Sequence, residues 1–154
     1  MDIYKKMEEL GITLPKAPAK GGTYAQIKKF GRNLVYVSGC GPITDDETYK
    51  GKLGKPYSVE EGQKAARSCM LNILAILHAN IGDLNKIKNV VKILTFVAGE
   101  DDFYDQPKVA NGGTNLLIDL LGEQIGAPSR SAIGVNALPG NVPVETEAIF
   151  EIED

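Results

Sequence analysis

The chain has 154 residues, 20 acidic against 17 basic side chains, a net charge of -3 and an isoelectric point near 5.3. A chain of this length buries roughly 68–70% of its extended surface, enough for one domain to hold a core without metal or disulfide help. Two cysteines without CxxC spacing and a single histidine exclude a structural zinc site, and mild acidity with no basic cluster argues against nucleic acid as a partner. The N-terminus leads into an acidic amphipathic segment, and no apolar run approaches about eighteen residues; the expectation is a cytoplasmic protein with no membrane partner.

In chain order, Asp2 can cap a short helix over Ile3 to Leu10, with Ile3, Met7 and Leu10 on one stripe and Gly11 as its stop. This helix reads as an embellishment. Residues 13–22 carry Pro15, Pro18, Gly21 and Gly22 and predict an irregular surface connection, so residues 1–22 are expected to precede a domain spanning 23–154. Thr23 to Phe30 and Asn33 to Cys40 predict a hairpin turned at Gly31-Arg32. It ends in Ser38-Gly39-Cys40-Gly41-Pro42, where glycine lets a ligand approach the backbone and frees N–H groups for an oxyanion; a bulge or turn explains the same residues. Residues 44–57, with Asp45-Asp46-Glu47, Gly51, Gly54 and Pro56, predict a long polar loop.

Ser58-Val59-Glu60-Glu61 is a capping-box sequence opening a helix to Ile81, with Cys69 on its apolar stripe as a core residue. Ile87 to Val97 is rich in β-branched residues and predicts a central strand. Asp105 and Pro107 introduce a second helix from Gln106 to Leu121, in which Gly112-Gly113 signals either tight packing or a break near Asn111.

The last quarter holds two alternating runs, residues 128–135 and 142–152, joined by a connection containing Pro139 and Gly140. The simplest reading is a hairpin that pairs Val135 with Val142, Ala132 with Glu145 and Arg130 with Glu147. One face would then carry Arg130, Ala132, Gly134, Glu145 and Glu147, and the other Ser131, Ile133, Val135, Val144, Thr146, Ala148 and Phe150. An arginine over a floor of small residues suits a small carboxylate, and a neighbouring glutamate can hold a water. A cross-strand ion pair on a solvated edge accounts for the same charges. The order ββαβαββ implies an α+β mixed sheet with two helices on one face, its other face left for self-association.

These residues resemble the Rid/YjgF family of reactive-intermediate deaminases, in the branch labelled translation inhibitors or endoribonucleases. The similarity rests on Tyr24, Ser38-Gly39 and Pro42, the run Glu61 to Arg67 leading to Asn72, Gly82-Asp83-Leu84, and above all Ser129-Arg130-Ser131-Ala132 with Leu138-Pro139 and Val144 to Glu147. It implies a chorismate-mutase-like fold and a homotrimer with clefts between subunits. It also implies hydrolysis of 2-imino or 2-enamino acids to 2-keto acids and ammonia without metal or organic cofactor. Arg130 would grip the substrate carboxylate and Glu145 position water, while Tyr24, Ser38, Gly39, Cys40, Asn111 and Ala132 line the pocket. The chain departs from the family at Ala132, where a cysteine is common two residues after the arginine, and at Cys40, where many members have glutamine. A trimer that binds a 2-keto acid without turnover is the alternative. Ribonuclease chemistry fits less well, because His78 is the sole histidine. A Cys40–His78 pair is the remaining catalytic arrangement.

Overall fold

The two long helices arise where the apolar period and the end signals agree, and they set the frame for everything else. The computed structural model describes residues 2–44 and 48–153; the predicted loop residues Asp45-Asp46-Glu47 lie outside the described residues. Helix α1 spans Ile3–Glu9 and α2 spans Val59–Ile81. The capping box that opens α2 is complete: the Glu61 N–H donates to Ser58 Oγ at 3.2 Å, and the Ser58 N–H donates to Glu61 Oε2 at 2.8 Å. Helix α3 runs from Gln106 to Leu121 without a break. A Cβ on Gly112 would strike the backbone carbonyl of Gln63, and one on Gly113 would lie 3.2 Å from the carbonyl of Ala66. The glycine pair therefore lets α2 and α3 approach backbone to backbone, the tight-packing alternative.

Both helices cover one face of a five-stranded sheet built from β1 (Ile27–Phe30), β2 (Leu34–Cys40), β5 (Ile87–Ala98), β6 (Ser129–Val135) and β7 (Val144–Ile152), in the order β1-β2-β7-β5-β6. The loop before α2 adds the short strands β3 (Lys52–Leu53) and β4 (Pro56–Tyr57), and α4 (Glu123–Gly126) follows α3. Helix α1 is part of the core instead of an embellishment. Ile3 and Met7 are buried in the main hydrophobic cluster, the Ile3 N–H donates to Asn85 Oδ1 at 2.9 Å, and the Leu84 N–H donates to the Tyr4 hydroxyl at 2.8 Å.

The predicted β1–β2 hairpin is present, closing at Phe30 opposite Leu34. The predicted C-terminal hairpin is not. Strand β6 lies at the sheet edge, parallel to β5, while β7 is inserted between β2 and β5 and antiparallel to both. The reason is the helix between β5 and β6: a strand, a 16-residue helix and a second strand form a crossover unit, and a crossover joins parallel strands. Residues 136–141 then carry the chain past the end of β5, through a short turn at Pro139–Asn141 that includes Asn141 with φ 57°.

The insertion exchanges faces. Ile93 of β5 stands opposite both Arg130 and Ala148, and Thr95 opposite both Ala132 and Thr146. Arg130, Ala132 and Gly134 therefore share the helix-covered face with Val144, Thr146, Ala148 and Phe150. Ser131, Ile133 and Val135 lie on the uncovered face with Glu145 and Glu147, so the predicted pairing of Arg130 with Glu147 and of Ala132 with Glu145 does not exist. The strand period is two, so a change of pairing partner sufficed to move β6 to the opposite side from its expected position. The uncovered face presents Tyr36, Leu94, Phe96, Ile133 and Ile149, of which Ile133 is 43% exposed.

Replacing Gly112 with alanine forces a methyl group onto the Gln63 carbonyl, and overpacking of this kind costs about 1–3 kcal/mol. The Gly112→Ala protein is expected to unfold at lower denaturant concentration than the parent; an unchanged midpoint would show that the helix pair relaxes freely.

Candidate functional site

The sheet positions two clusters of polar side chains, one at each of its faces. The first forms where the end of β2 meets the start of β7. Val37 pairs with Ala148 and Cys40 with Thr146, so β2 spends one extra residue across Ser38 and Gly39, the bulge that the glycines suggested. A Cβ at position 39 would collide with the Glu145 carboxylate, so only glycine lets that carboxylate lie against the β2 backbone. Tyr24, Ser38, Gly39, Cys40 and Glu145 line a common cavity of about 260 Å³. The Ser38 hydroxyl donates to the Ala25 carbonyl at 2.7 Å, and the Tyr24 hydroxyl accepts from the Gly21 N–H at 3.2 Å, which ties the segment before β1 over the cavity.

Electrostatics at this cluster follow from burial and one like charge. Burial pushes the Glu145 carboxyl above its ordinary value, and the nearby Glu147 carboxylate pushes it the same way. Glu147 is held in turn by the Tyr36 hydroxyl, which donates to its Oε1 at 2.5 Å. That hydrogen bond, with burial and the Glu147 charge, raises the Tyr36 phenol to about 12. Burial and, second, Glu145 push the Cys40 thiol up to about 12, leaving it protonated at neutral pH. His78 packs edge-on to the Tyr4 ring with centroids 6.0 Å apart, at the last turn of α2. A protonated, buried Cys40 and a histidine committed elsewhere make a poor nucleophile and base. Cys69 is fully buried, as its place on the α2 stripe predicted.

The second cluster surrounds Arg130. Its Nη1 donates to Asn111 Oδ1 at 2.8 Å and to Thr114 Oγ1 at 3.0 Å, and its Nη2 donates to the Pro107 carbonyl at 3.3 Å. Asn111 and Thr114 are three residues apart on α3 and so project from one helix face. Ala132 follows two residues later on the same side of β6. A guanidinium has five N–H donors and these bonds use three, leaving donors for a ligand. All three acceptors are neutral, and no ion pair among the described residues includes Arg130. The cross-strand pair with Glu147 is absent, since the two residues occupy opposite faces.

The structure thus brings Tyr24, Ser38, Gly39, Cys40 and Glu145 together, and Arg130 with Asn111 and Ala132, but within one chain it separates the two groups. Sequence reasoning missed Thr114, detectable as the residue one turn beyond Asn111. It also missed the structural role of Asn72, whose Nδ2 donates to the Gly41 and Ile43 carbonyls at 3.0 and 2.9 Å and fixes the cavity wall. Asn72 was visible as an asparagine within an apolar helix stripe.

Residues 14–152 match the model of the family described as Endoribonuclease L-PSP, and the chain belongs to this family, which is the YjgF/Rid family. Among its relatives, Protein TCP17 of Trypanosoma cruzi is 38% identical over 99% of this chain and 95% of its own length. A protein of Dermatophagoides farinae named 2-iminobutanoate/2-iminopropanoate deaminase is 32% identical over 92% of this chain and 95% of its own. The crystal structure of Atu1372 from Agrobacterium tumefaciens, described as of unknown function, superposes with a TM-score of 0.89 at 40% identity, covering 98% of this chain and 92% of that one.

A carboxyl whose folded-state pKa is raised favours folding while protonated and loses that contribution as pH rises from the ordinary carboxylate range through the raised value. Glu145→Gln is therefore expected to flatten the decline of stability with pH in that interval. In carboxyl-resolved NMR titrations Glu147→Gln should lower the Glu145 midpoint, and an unmoved midpoint would show that the two carboxylates do not couple.

Proposed function

We propose that the chain assembles as a homotrimer that hydrolyses small 2-imino and 2-enamino acids to 2-keto acids and ammonia, without metal or organic cofactor, at clefts between subunits. The observation that carries this reading is Arg130: its guanidinium is oriented by Asn111, Thr114 and the Pro107 carbonyl, all neutral, and has no carboxylate counter-ion among the described residues. Its charge is thus available to a substrate carboxylate, which it can grip with parallel N–H donors. The uncovered apolar sheet face and the edge position of β6 support self-association, in which the Arg130 cluster of one subunit closes on the Glu145 cluster of another.

Chemically the demands are modest. The imine carbon is electrophilic already, so the site has to orient it and deliver water. Glu145, its carboxyl pushed up by burial and by the Glu147 charge, accepts a proton from the water as it adds to the C=N bond. It passes that proton to the imine nitrogen to give the amino alcohol, then takes the hydroxyl proton and delivers it to the same nitrogen as the C=O bond forms and ammonia leaves. Tyr24, Ser38, Gly39 and Cys40 shape the pocket around that water, and Asn111 and Ala132 do so around the carboxylate.

The test generates an imine in place with an amino-acid oxidase and follows keto-acid release. The protein should accelerate release over buffer, with Arg130→Ala and Glu145→Gln each lowering the rate by about 10²-fold or more. Full activity in Arg130→Ala would overturn the proposal. Calorimetric heat with 2-ketobutyrate but no turnover would replace it with a carboxylate-binding role, and a dimer or monomer by sedimentation would reject the assembly.

A further inference from the structure

The cavity beside Glu145 has two parts. One is shared with an adjoining open groove that reaches Tyr36 and Glu147; Tyr24, Ser38, Gly39 and Glu145 line both. The other is a recess walled by Pro18, Ala19, Ile43, Ile76 and Val142, with Gln26, Cys40 and Asn72 also on its lining, and it reaches neither Tyr36 nor Glu147. Glu145 thus lines both the groove and the cavity that holds the recess. The walls are held in place: Ile76 and Val142 are buried, Asn72 binds the Gly41 and Ile43 carbonyls, and Gln26 Nε2 donates to the Pro18 carbonyl at 2.7 Å. A recess that is formed before the ligand arrives loses little affinity to ordering.

Resting on the imine-hydrolase reading above, we propose that this recess receives the substrate side chain and makes the protein selective for imino acids with bulky apolar side chains, four-carbon branched or aromatic, over those bearing a methyl or ethyl group. The size supports this choice. An apolar cavity of roughly 150 Å³ suffices to hold benzene, and the whole cavity here, its shared part included, is about 260 Å³, room for the reacting centre and a larger side chain together. A methyl group would leave the exposed Ile43 and Ala19 walls facing water, whereas an isobutyl or benzyl group covers them. Each methylene buried contributes roughly fourfold in binding, and discrimination by one such group in an apolar pocket runs from about 10- to 200-fold. Ile43 and Ala19 are the specificity-determining positions, because both are accessible wall residues on segments outside the helices and sheet.

The experiment compares imines made in place from leucine and from alanine by an amino-acid oxidase, and reads the ratio of their kcat/KM values. The parent protein should favour the leucine-derived imine by about tenfold or more. Ile43→Trp and, independently, Ala19→Phe fill the recess from two segments and should each bring the ratio toward one. A parent ratio near one, or a ratio unmoved in both variants while their circular dichroism and melting match the parent, overturns the proposal. If neither imine is hydrolysed, the imine-hydrolase reading falls, and the recess is judged by calorimetry with 4-methyl-2-oxopentanoate against pyruvate. A tenfold preference for the larger acid that Ile43→Trp removes supports the recess, and equal affinities overturn it.

Discussion

The insertion of β7 between β2 and β5 is the constraint on which the rest of the molecule depends. β7 is antiparallel to both neighbours, so β2 and β5 run in the same direction and α2 can connect them across one face; β5 and β6 are parallel, and α3 connects them across the same face. Both crossovers thereby lie on one side, where α2 and α3 meet through Gly112 and Gly113. The core forms under them from Val90, Ile93, Ala148, Phe150 and the buried stripes of the helices. None of the described helices covers the opposite side of the sheet. Its apolar side chains and its two glutamates are left without a covering helix.

The same insertion divides the charged residues. Arg130 is carried to the sheet edge and turned under α3, where Asn111 and Thr114 hold it without neutralising it. Glu145 emerges on the uncovered face beside the bulge in β2, where Gly39 makes room for its carboxylate. Removing a guanidinium partly from water without giving it a carboxylate is unfavourable, and burying a carboxyl beside another carboxylate is unfavourable too. Burial moves both groups accordingly, Arg130 downward and Glu145 upward. Two groups of opposite sign, each without an ion-pair partner among the described residues and placed on opposite faces of the sheet, are the basis of the inter-subunit site proposed above.

Local signals wrote the helices into the chain. Ser58 with Glu61, the apolar stripe from Ala65 to Leu77, and Pro107 at the start of α3 act within a turn or two of themselves, so no distant contact was needed to place α2 and α3. The strand at Ile87–Ala98 and the β1–β2 hairpin were legible for the same reason. The resemblance that pointed to Arg130, Glu145, Tyr24, Ser38, Gly39 and Asn111 was likewise carried by residue order. Strand partnership was different. Residues 136–141 are as able to pass the end of an intervening strand as to close a hairpin, and nothing within residues 128–152 chooses between the two. The deciding signal lay outside that stretch, in a 16-residue helix between two strands, which demands a parallel crossover.

The sequence by itself determined α1, the two long helices, the extended runs of the main sheet and which residue types are available for chemistry, because capping and periodicity are set by neighbours a few residues away; the short β3, β4 and α4 carry no such signal. Tertiary structure alone decided which face each β6 and β7 residue occupies and which groups meet. Side chains alternate along a strand, and their side of the sheet is fixed only when the strand finds its partners. Those partners are supplied by segments tens of residues distant, and so Arg130 came to rest on Asn111 and Thr114 instead of opposite Glu147.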